Sequence, residues 1–252
     1  MSMKKAIVTG VIAGVVGLAC TTASWARDVL RVGTEPTFAP FEYLDTKTKE
    51  FAGFDIDLIR AIGEKAGYDV KIVNMGFDAL IPALTTGNID VIASGLSITP
   101  ERAERVNFMT PNYQTGLSIL VKKTDADTLK TTKDLEGKVI AVQIGNTGAD
   151  KAKSIPNAKV KTFNTTSDAF MELMQGGADA VILDRPVIAY FLKTRPKAAK
   201  NLVLQPSMDD VADFGFAVSK DNPELLAKLN KAYEEVKASG QEKRIFSKYF
   251  AE

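Results

Sequence analysis

Apolar positions along the chain switch between two periods. In FDIDLIRAIGEKAGY, Phe54, Leu58, Ile59 and Ile62 recur at three- and four-residue spacing on one helical face, and Gly67 is a natural stop. The runs VLRVGT (Val29 to Thr34) and DVKIVNM on either side read as strands. Between the first strand and the helix, the stretch carrying Pro36, Phe38, Pro40 and Phe41 reads as a polar loop. FDALIPALTTGN reads as a helix ended by Gly87-Asn88, and IDVIAS as a buried strand. The pattern restarts after Lys122-Lys123 and a polar stretch through Lys133. KVIAVQ is a strand running into the glycine-containing turn IGNTGAD, followed by the strand AKVKTF, the helix SDAFMELMQGG and the strand ADAVIL. Helices alternating with short apolar strands predict α/β layers around a mostly parallel sheet.

Two of these segments are alike. FDALIPALTTGNIDVIASG and SDAFMELMQGGADAVILD share an Asp-Ala opening, a helix, a glycine stop, then Asp and an apolar strand. Any helix–turn–strand unit converges on such a pattern. The alternative is two α/β lobes of similar build, each offering a loop at a strand's C-terminal end, where open α/β sheets bind their ligands. The tail from Pro223 is helical, with Leu225, Leu226, Leu229 and Tyr233 near one face that packs on a lobe. Its lysines and glutamates are mixed, which argues against a membrane-surface role.

Composition narrows the chemistry. The 252 residues hold one large domain or two small ones, and a net charge of +1 advertises no nucleic-acid surface. Lys4 and Lys5 precede an apolar run from Ala6 to Ala19, and Ser24-Trp25-Ala26 places small residues at −3 and −1. This predicts a secretory signal peptide, residues 1–26, cleaved after Ala26, with an apolar run too short for a membrane span. The rival is lipid attachment at Cys20, against which Gly17 stands where such sites favour a larger apolar residue. Cleavage removes the only Cys (Cys20) and the only Trp (Trp25), and the chain has no His. Ser–His–Asp and Cys–His catalysis and the usual zinc sites are thereby excluded, and neither metal nor cofactor is expected.

The joint VIASGLSITPERAERVNF concentrates what remains. Ser94, Gly95 and Ser97 lead to Thr99, a good N-cap, and Pro100, suited to the first helical position, so Arg102 lies in the first turn. A helix start already carries partial positive charge, which makes an arginine there locally unfavourable. Either Arg102 is a surface residue paired with Glu101, Glu104 or Glu42, or its guanidinium grips a carboxylate that arrives from outside. Asp184, before Pro186, is either a helix cap or a carboxylate that receives an ammonium group. The turn Gln143 to Asp150 lacks the Gly-Lys-Ser/Thr of a phosphate loop, since Ala149 follows Gly148, yet its helix start suits a small anion. Glu35 beside Phe38 is either a solvated loop carboxylate or part of the same site. Phe41 reads as core. One arginine, one aspartate and aromatic walls at Phe38 and Phe77 complement a zwitterion, whose charges must be paired once desolvated.

GTEPTFAPFEY, GFDIDLIRAIG, MGFDALIPALTTGNIDVIASGLSITPERAERVNF, KVIAVQIGNTGADKAK and ADAVILDRPVIAYFL together resemble the polar amino-acid-binding proteins of bacterial ABC importers (family 3 solute-binding proteins), glutamine-binding proteins above all. The likeness is collinear from about Leu30 to Tyr249. It implies the type II periplasmic-binding-protein fold: two α/β domains joined by two hinge strands, near Asn112 to Gly116 and Asp210 to Gly215. Lobe 1 would comprise residues 27–111 plus 216–252, and lobe 2 residues 112–215. The resemblance further implies that Arg102 holds a ligand α-carboxylate with Ser97 and the backbone of Thr147 or Gly148. Asp184 and the Gly95 carbonyl, beside Ser94, would receive the α-ammonium. Phe38 and Phe77 would sandwich the side chain, and Glu35 and Gln143 would read its far end. Glu35, Gln143 and Leu183 stand where the glutamine pattern has Asp, Lys and His, so arginine or lysine rivals glutamine as the expected ligand. The implied partners are a free L-amino acid and ABC permease subunits, with the receptor a periplasmic monomer and not an enzyme. A carboxylate-dependent dehydratase on the same fold, or a free sensor subunit for a chemoreceptor, are the alternatives, since fold alone does not fix function. The chain ends at Glu252 with no signalling segment in view, which weighs against an attached sensor.

Overall fold

The computed structural model describes residues 27–250; the expected signal peptide and Cys20 lie outside them. Leu30 and Val32 alternate inward along Asp28–Thr34. That strand pairs in parallel with Tyr68–Asn74 from Asp28↔Tyr68 to Thr34↔Asn74. It forms part of a five-stranded sheet in the order Tyr68–Asn74, Asp28–Thr34, Val91–Ile92, Ala217–Ser219, Val106–Phe108. The helix Phe54–Lys65 covers this sheet with the apolar face expected of it, Phe54, Leu58, Ile59 and Ile62 all fully buried. Burying such side chains stabilises by roughly 1.5–3 kcal/mol each. The tail forms two helices, Pro223–Ala238 and Gln241–Phe250, broken at Gly240 (φ 72). Leu225, Leu229 and Tyr233 are buried while Leu226 is half-buried.

A second sheet runs in the order Lys159–Phe163, Val139–Gln143, Ala180–Asp184, Tyr113–Lys122, Leu202–Leu204, with Asp209–Phe214 also paired to Tyr113–Lys122. Both sheets are mixed rather than mostly parallel. Ala217–Ser219 runs antiparallel to Val91–Ile92, and Tyr113–Lys122 runs antiparallel to Ala180–Asp184. The reason is the connectivity. The chain crosses from the first sheet to the second between Phe108 and Tyr113 and returns between Phe214 and Ala217. The two crossing strands pair with each other, Tyr113 opposite Phe214. Two α/β lobes joined by a pair of strands result, the architecture the resemblance implied.

An aromatic cluster pins the crossing. The Phe41 ring lies 5.1 Å from Phe214 and 4.8 Å from Tyr113, whose ring is 4.9 Å from Phe250 of the tail. The two edge-to-face contacts of Phe41 add about 0.5–1.5 kcal/mol each beyond burial. The expected polar loop after the first strand is instead a small sheet of Thr37–Phe38, Glu42–Leu44 and Phe51–Ala52. Its strands are too short to show any alternation in sequence. Phe41, fully buried, is core as read.

Candidate functional site

Thr99 is extended (φ −122) and its hydroxyl accepts the Arg102 N–H at 3.2 Å, with Pro100 opening the helix Pro100–Arg105. The cap chemistry thus starts the helix where expected. The side chain of Arg102, however, is buried, with 9% of the residue exposed. Its Nη1 donates to the Ser97 carbonyl at 2.9 Å and its Nη2 to the Gly145 carbonyl at 3.0 Å. The guanidinium carbon sits 5.5 Å from the centre of the Phe77 ring. The ion pairs among the described residues leave Arg102 out, so pairing with Glu101, Glu104 or Glu42 at the surface is corrected. The extended segment before the helix turns this first turn inward, beneath the Gly145 loop of the other lobe. Burial pulls the guanidinium pKa down, opposed by the more distant charges of Asp150, Asp184 and Glu101.

Asp184 ends the strand Ala180–Asp184 and precedes the helix Arg185–Thr194, yet its side chain makes no capping bond. The helix-cap reading therefore fails. Instead Oδ1 accepts from Thr115 Oγ1 at 3.1 Å, and Oδ2 is buried without a partner. Desolvation raises the Asp184 pKa to about 7, with Thr115 and Arg102 opposing.

Glu35 is buried as well, not a solvated loop carboxylate. Its Oε2 accepts from Thr37 Oγ1 at 2.7 Å and from Gln143 Nε2 at 2.8 Å, which ties the first lobe to the second. Gln143 Oε1 is left buried and unpartnered. Further contacts between the lobes join Thr166 to Thr37, its N–H donating to Thr37 Oγ1 at 3.2 Å. The Glu35 N–H donates to Ser94 Oγ at 2.9 Å, and Ser94 Oγ donates to Glu42 Oε1 at 3.2 Å. Burial raises the Glu35 pKa.

Gly95 has φ +49, and a Cβ there would lie 2.6 Å from Phe38 Cε1. Both the left-handed backbone and the ring demand glycine. Gly95→Ala is expected to lower stability by about 1–3 kcal/mol and to displace Phe38, measured as a lower denaturation midpoint together with weakened ligand binding. Gly148 is also required, because a Cβ would come 2.5 Å from the Ile182 carbonyl. Its N–H is already donated to Asn146 Oδ1 at 2.7 Å, while Thr147 lines the cleft.

That cleft, of about 710 Å³, is lined by Ser97, Thr147 and Asp184 together with Leu117, Asp150 and Val211 among others. Arg102, Phe77, Glu35, Gln143, Ser94, Gly95 and Phe38 do not line it; Arg102 reaches it through its bond to the Ser97 carbonyl, and Phe77 lies against Arg102. Phe38 and Phe77 belong to separate apolar clusters. Asp55, Thr115 and Asn146 were not foreseen. Asp55 reads in sequence as an acidic residue in a helix's first turn, and nothing in the sequence marks Thr115.

Charge is the unbalanced quantity. Among the described residues the buried ionisable carboxyl groups are Glu35, Glu42, Asp55 and Asp184, against the single buried cation Arg102. Unpaired buried charges cost several kcal/mol each, so this arrangement is poised to receive a ligand bearing one carboxylate and at least one cation. No group of three or more His, Cys, Asp or Glu side chains arranged to hold a metal occurs among the described residues.

Residues 30–252 match the family described as bacterial extracellular solute-binding proteins, family 3. The chain is 34% identical over 251 residues to the ABC transporter arginine-binding protein 1 of Escherichia coli (strain K12), covering 98% of this chain and 99% of that protein. Among solved structures it resembles an ancestral arginine-binding protein bound to arginine, with 41% identity, a TM-score of 0.84, and coverage of 89% of this chain and 99% of that one. An ancestral arginine-binding protein bound to glutamine is similar too, with 41% identity, a TM-score of 0.82, and coverage of 90% and 99%.

Proposed function

The chain belongs to the bacterial extracellular solute-binding proteins, family 3, and we propose that it is a periplasmic, non-catalytic receptor for a polar L-amino acid that serves an ABC importer. The observation that carries this reading is the buried guanidinium of Arg102, without a carboxylate partner, in the same region as the orphan Oδ2 of Asp184. The ligand α-carboxylate takes the two-pronged grip of Arg102, and the α-ammonium takes Asp184. Ser97 and Thr147 add polar contacts from opposite lobes. Lobe 1 is residues 27–111 plus 216–252 and lobe 2 residues 112–215. Closure of the lobes through the two crossing strands buries the ligand, and the closed form is what the permease accepts. The receptor acts as a monomer.

The charge balance supports a basic amino acid, arginine before lysine, over glutamine, the reverse of the order that the resemblance to glutamine-binding proteins suggested. Glu35 is a buried carboxylate whose neighbours Thr37 and Gln143 are neutral, so a guanidinium or ammonium on the ligand side chain completes it. That similar proteins are arginine-binding supports this choice, and the glutamine-bound structure keeps glutamine as the second ligand.

Isothermal titration of protein stripped of carried-over ligand, against arginine, lysine, glutamine, histidine and glutamate, tests the reading. Arginine or lysine should bind tightest, glutamine more weakly, and glutamate not at all. No heat from any of them, or tightest binding by glutamate, overturns it. Glu35→Gln should weaken arginine by about tenfold or more, equivalent to about 1.4 kcal/mol, while changing glutamine by less than about threefold.

A further inference from the structure

The two oxygens of Asp184 have different surroundings. Oδ1 accepts the Thr115 hydroxyl at 3.1 Å, while Oδ2 is buried without a partner. Asp184 shares the cleft wall with Ser97 and Thr147; Thr115, itself buried, stands behind that wall. The strand register brings it there. Where Ala180–Asp184 pairs antiparallel with Tyr113–Lys122, Asp184 ends the ladder opposite Leu117. Thr115 is two positions beyond Leu117, so its side chain leaves on the same face and meets Asp184 as a diagonal neighbour. At Thr115 the strand is paired instead with the returning strand, opposite Ala212. The hydroxyl therefore comes from the crossing between the lobes. Asn146 lies nearby with its Oδ1 taken by the Gly148 N–H, and Arg185 turns away to the Gln205 carbonyl at 2.8 Å.

We propose that Thr115 is a positioning residue for the α-ammonium contact: its hydroxyl fixes Asp184 Oδ1 and thereby presents Oδ2 to the ligand. A carboxyl without that bond is free to turn about its own axis, and the ligand then has to order it on binding. The bond also strengthens when it is needed. Asp184 is ionised once it faces an ammonium group, and a hydrogen bond to an ionised acceptor is stronger than one to a neutral acceptor. Serine keeps the hydroxyl and the role, whereas valine keeps the shape and loses both. The effect on affinity rests on the amino-acid-receptor reading above.

Titration of Thr115→Val and Thr115→Ser with arginine, agmatine and argininic acid separates this role from packing at the crossing. Arginine and agmatine present an ammonium group to Asp184, and argininic acid presents a hydroxyl. Thr115→Val should weaken arginine and agmatine by about tenfold or more and argininic acid by less than about threefold. Thr115→Ser should stay within about threefold of the wild type for all three. Equal losses for the three ligands in Thr115→Val, or no loss, overturn the proposal. If Thr115→Val fails to fold, Thr115→Ala takes its place. A second measurement needs no ligand: carbon-13 NMR of the Asp184 carboxyl gives its titration midpoint in each protein. The charged groups around it are Arg102 and Glu42 of the first lobe, with Glu101, Asp150, Lys151 and Asp210 along the cleft, and none of them is altered. The Thr115 hydroxyl favours the ionised carboxyl, so Thr115→Val should raise the midpoint and Thr115→Ser should leave it in place. An unmoved midpoint in Thr115→Val overturns the hold of Thr115 on Asp184. Absence of arginine binding by the wild type overturns the receptor reading and with it the role in ligand binding, and a raised midpoint would then still show the bond.

Discussion

Arg102→Ala is expected to weaken amino-acid binding by about a hundredfold or more while leaving the fold intact. Truncating one partner of a buried, hydrogen-bonded charge pair costs about 2–5 kcal/mol or more, because the other charge stays buried and unmatched. Here the unmatched charge would be the ligand α-carboxylate. The ligand-free protein has little to lose by the change. Among the described residues Arg102 has no ion-pair partner; its guanidinium donates to the Ser97 and Gly145 carbonyls and lies against the Phe77 ring. Removing it sheds the desolvation cost of a lone cation and gives up two hydrogen bonds, contributions of opposite sign. Calorimetric titration together with a thermal melt checks both halves. Unchanged affinity, or a collapsed melt that accounts for the loss, would contradict the assignment.

Asp184→Asn should move stability and affinity in opposite directions. The Asp184 pKa in the folded protein, about 7, lies above the ordinary value of 3.8. Its protonated form therefore adds stability that is complete below about pH 4 and lost as the pH rises through about 7. Asparagine keeps the neutral shape at every pH and can still accept from Thr115. The ligand-free variant should accordingly be more stable than the wild type at pH 8 and little different at pH 4. With arginine present the order reverses, since the variant has no carboxylate for the α-ammonium, and affinity should fall by about a hundredfold. Denaturant melts at the two pH values, each with and without arginine, separate these effects. A variant less stable than the wild type at pH 8 without ligand would show that Asp184 is ionised and satisfied there by other means.

The origin of each residue's role decides how much of it could be read in advance. The helix Phe54–Lys65 was legible because its apolar face repeats at helical spacing over many residues. The small sheet spanning 37–52 was not, because strands of two or three residues carry no periodicity. Thr99 and Pro100 gave the start of the Arg102 helix, since caps are local chemistry. Whether that first turn faced water or the other lobe was left open by the same residues, because the answer depends on Gly145, 43 positions away. Asp55 shows the limit most clearly. Between Phe54 and Ile56 it looks like ordinary acidic dressing of a helix start, and only the tertiary fold brings the Gly95 N–H to it from 40 residues on. The resemblance to a family suggested the proposed roles that spacing could not.

In the proposed receptor one site grips both charged groups of an α-amino acid, the carboxylate on Arg102 and the ammonium on Asp184. It is tested most directly by titrating stripped protein with arginine beside two analogues, each lacking one of those groups. Agmatine keeps the guanidinium but has no carboxylate, and argininic acid has a hydroxyl where arginine has its ammonium. Arginine should bind, and each analogue should be weaker by about a hundredfold or more. Binding of either analogue as tightly as arginine would contradict the account.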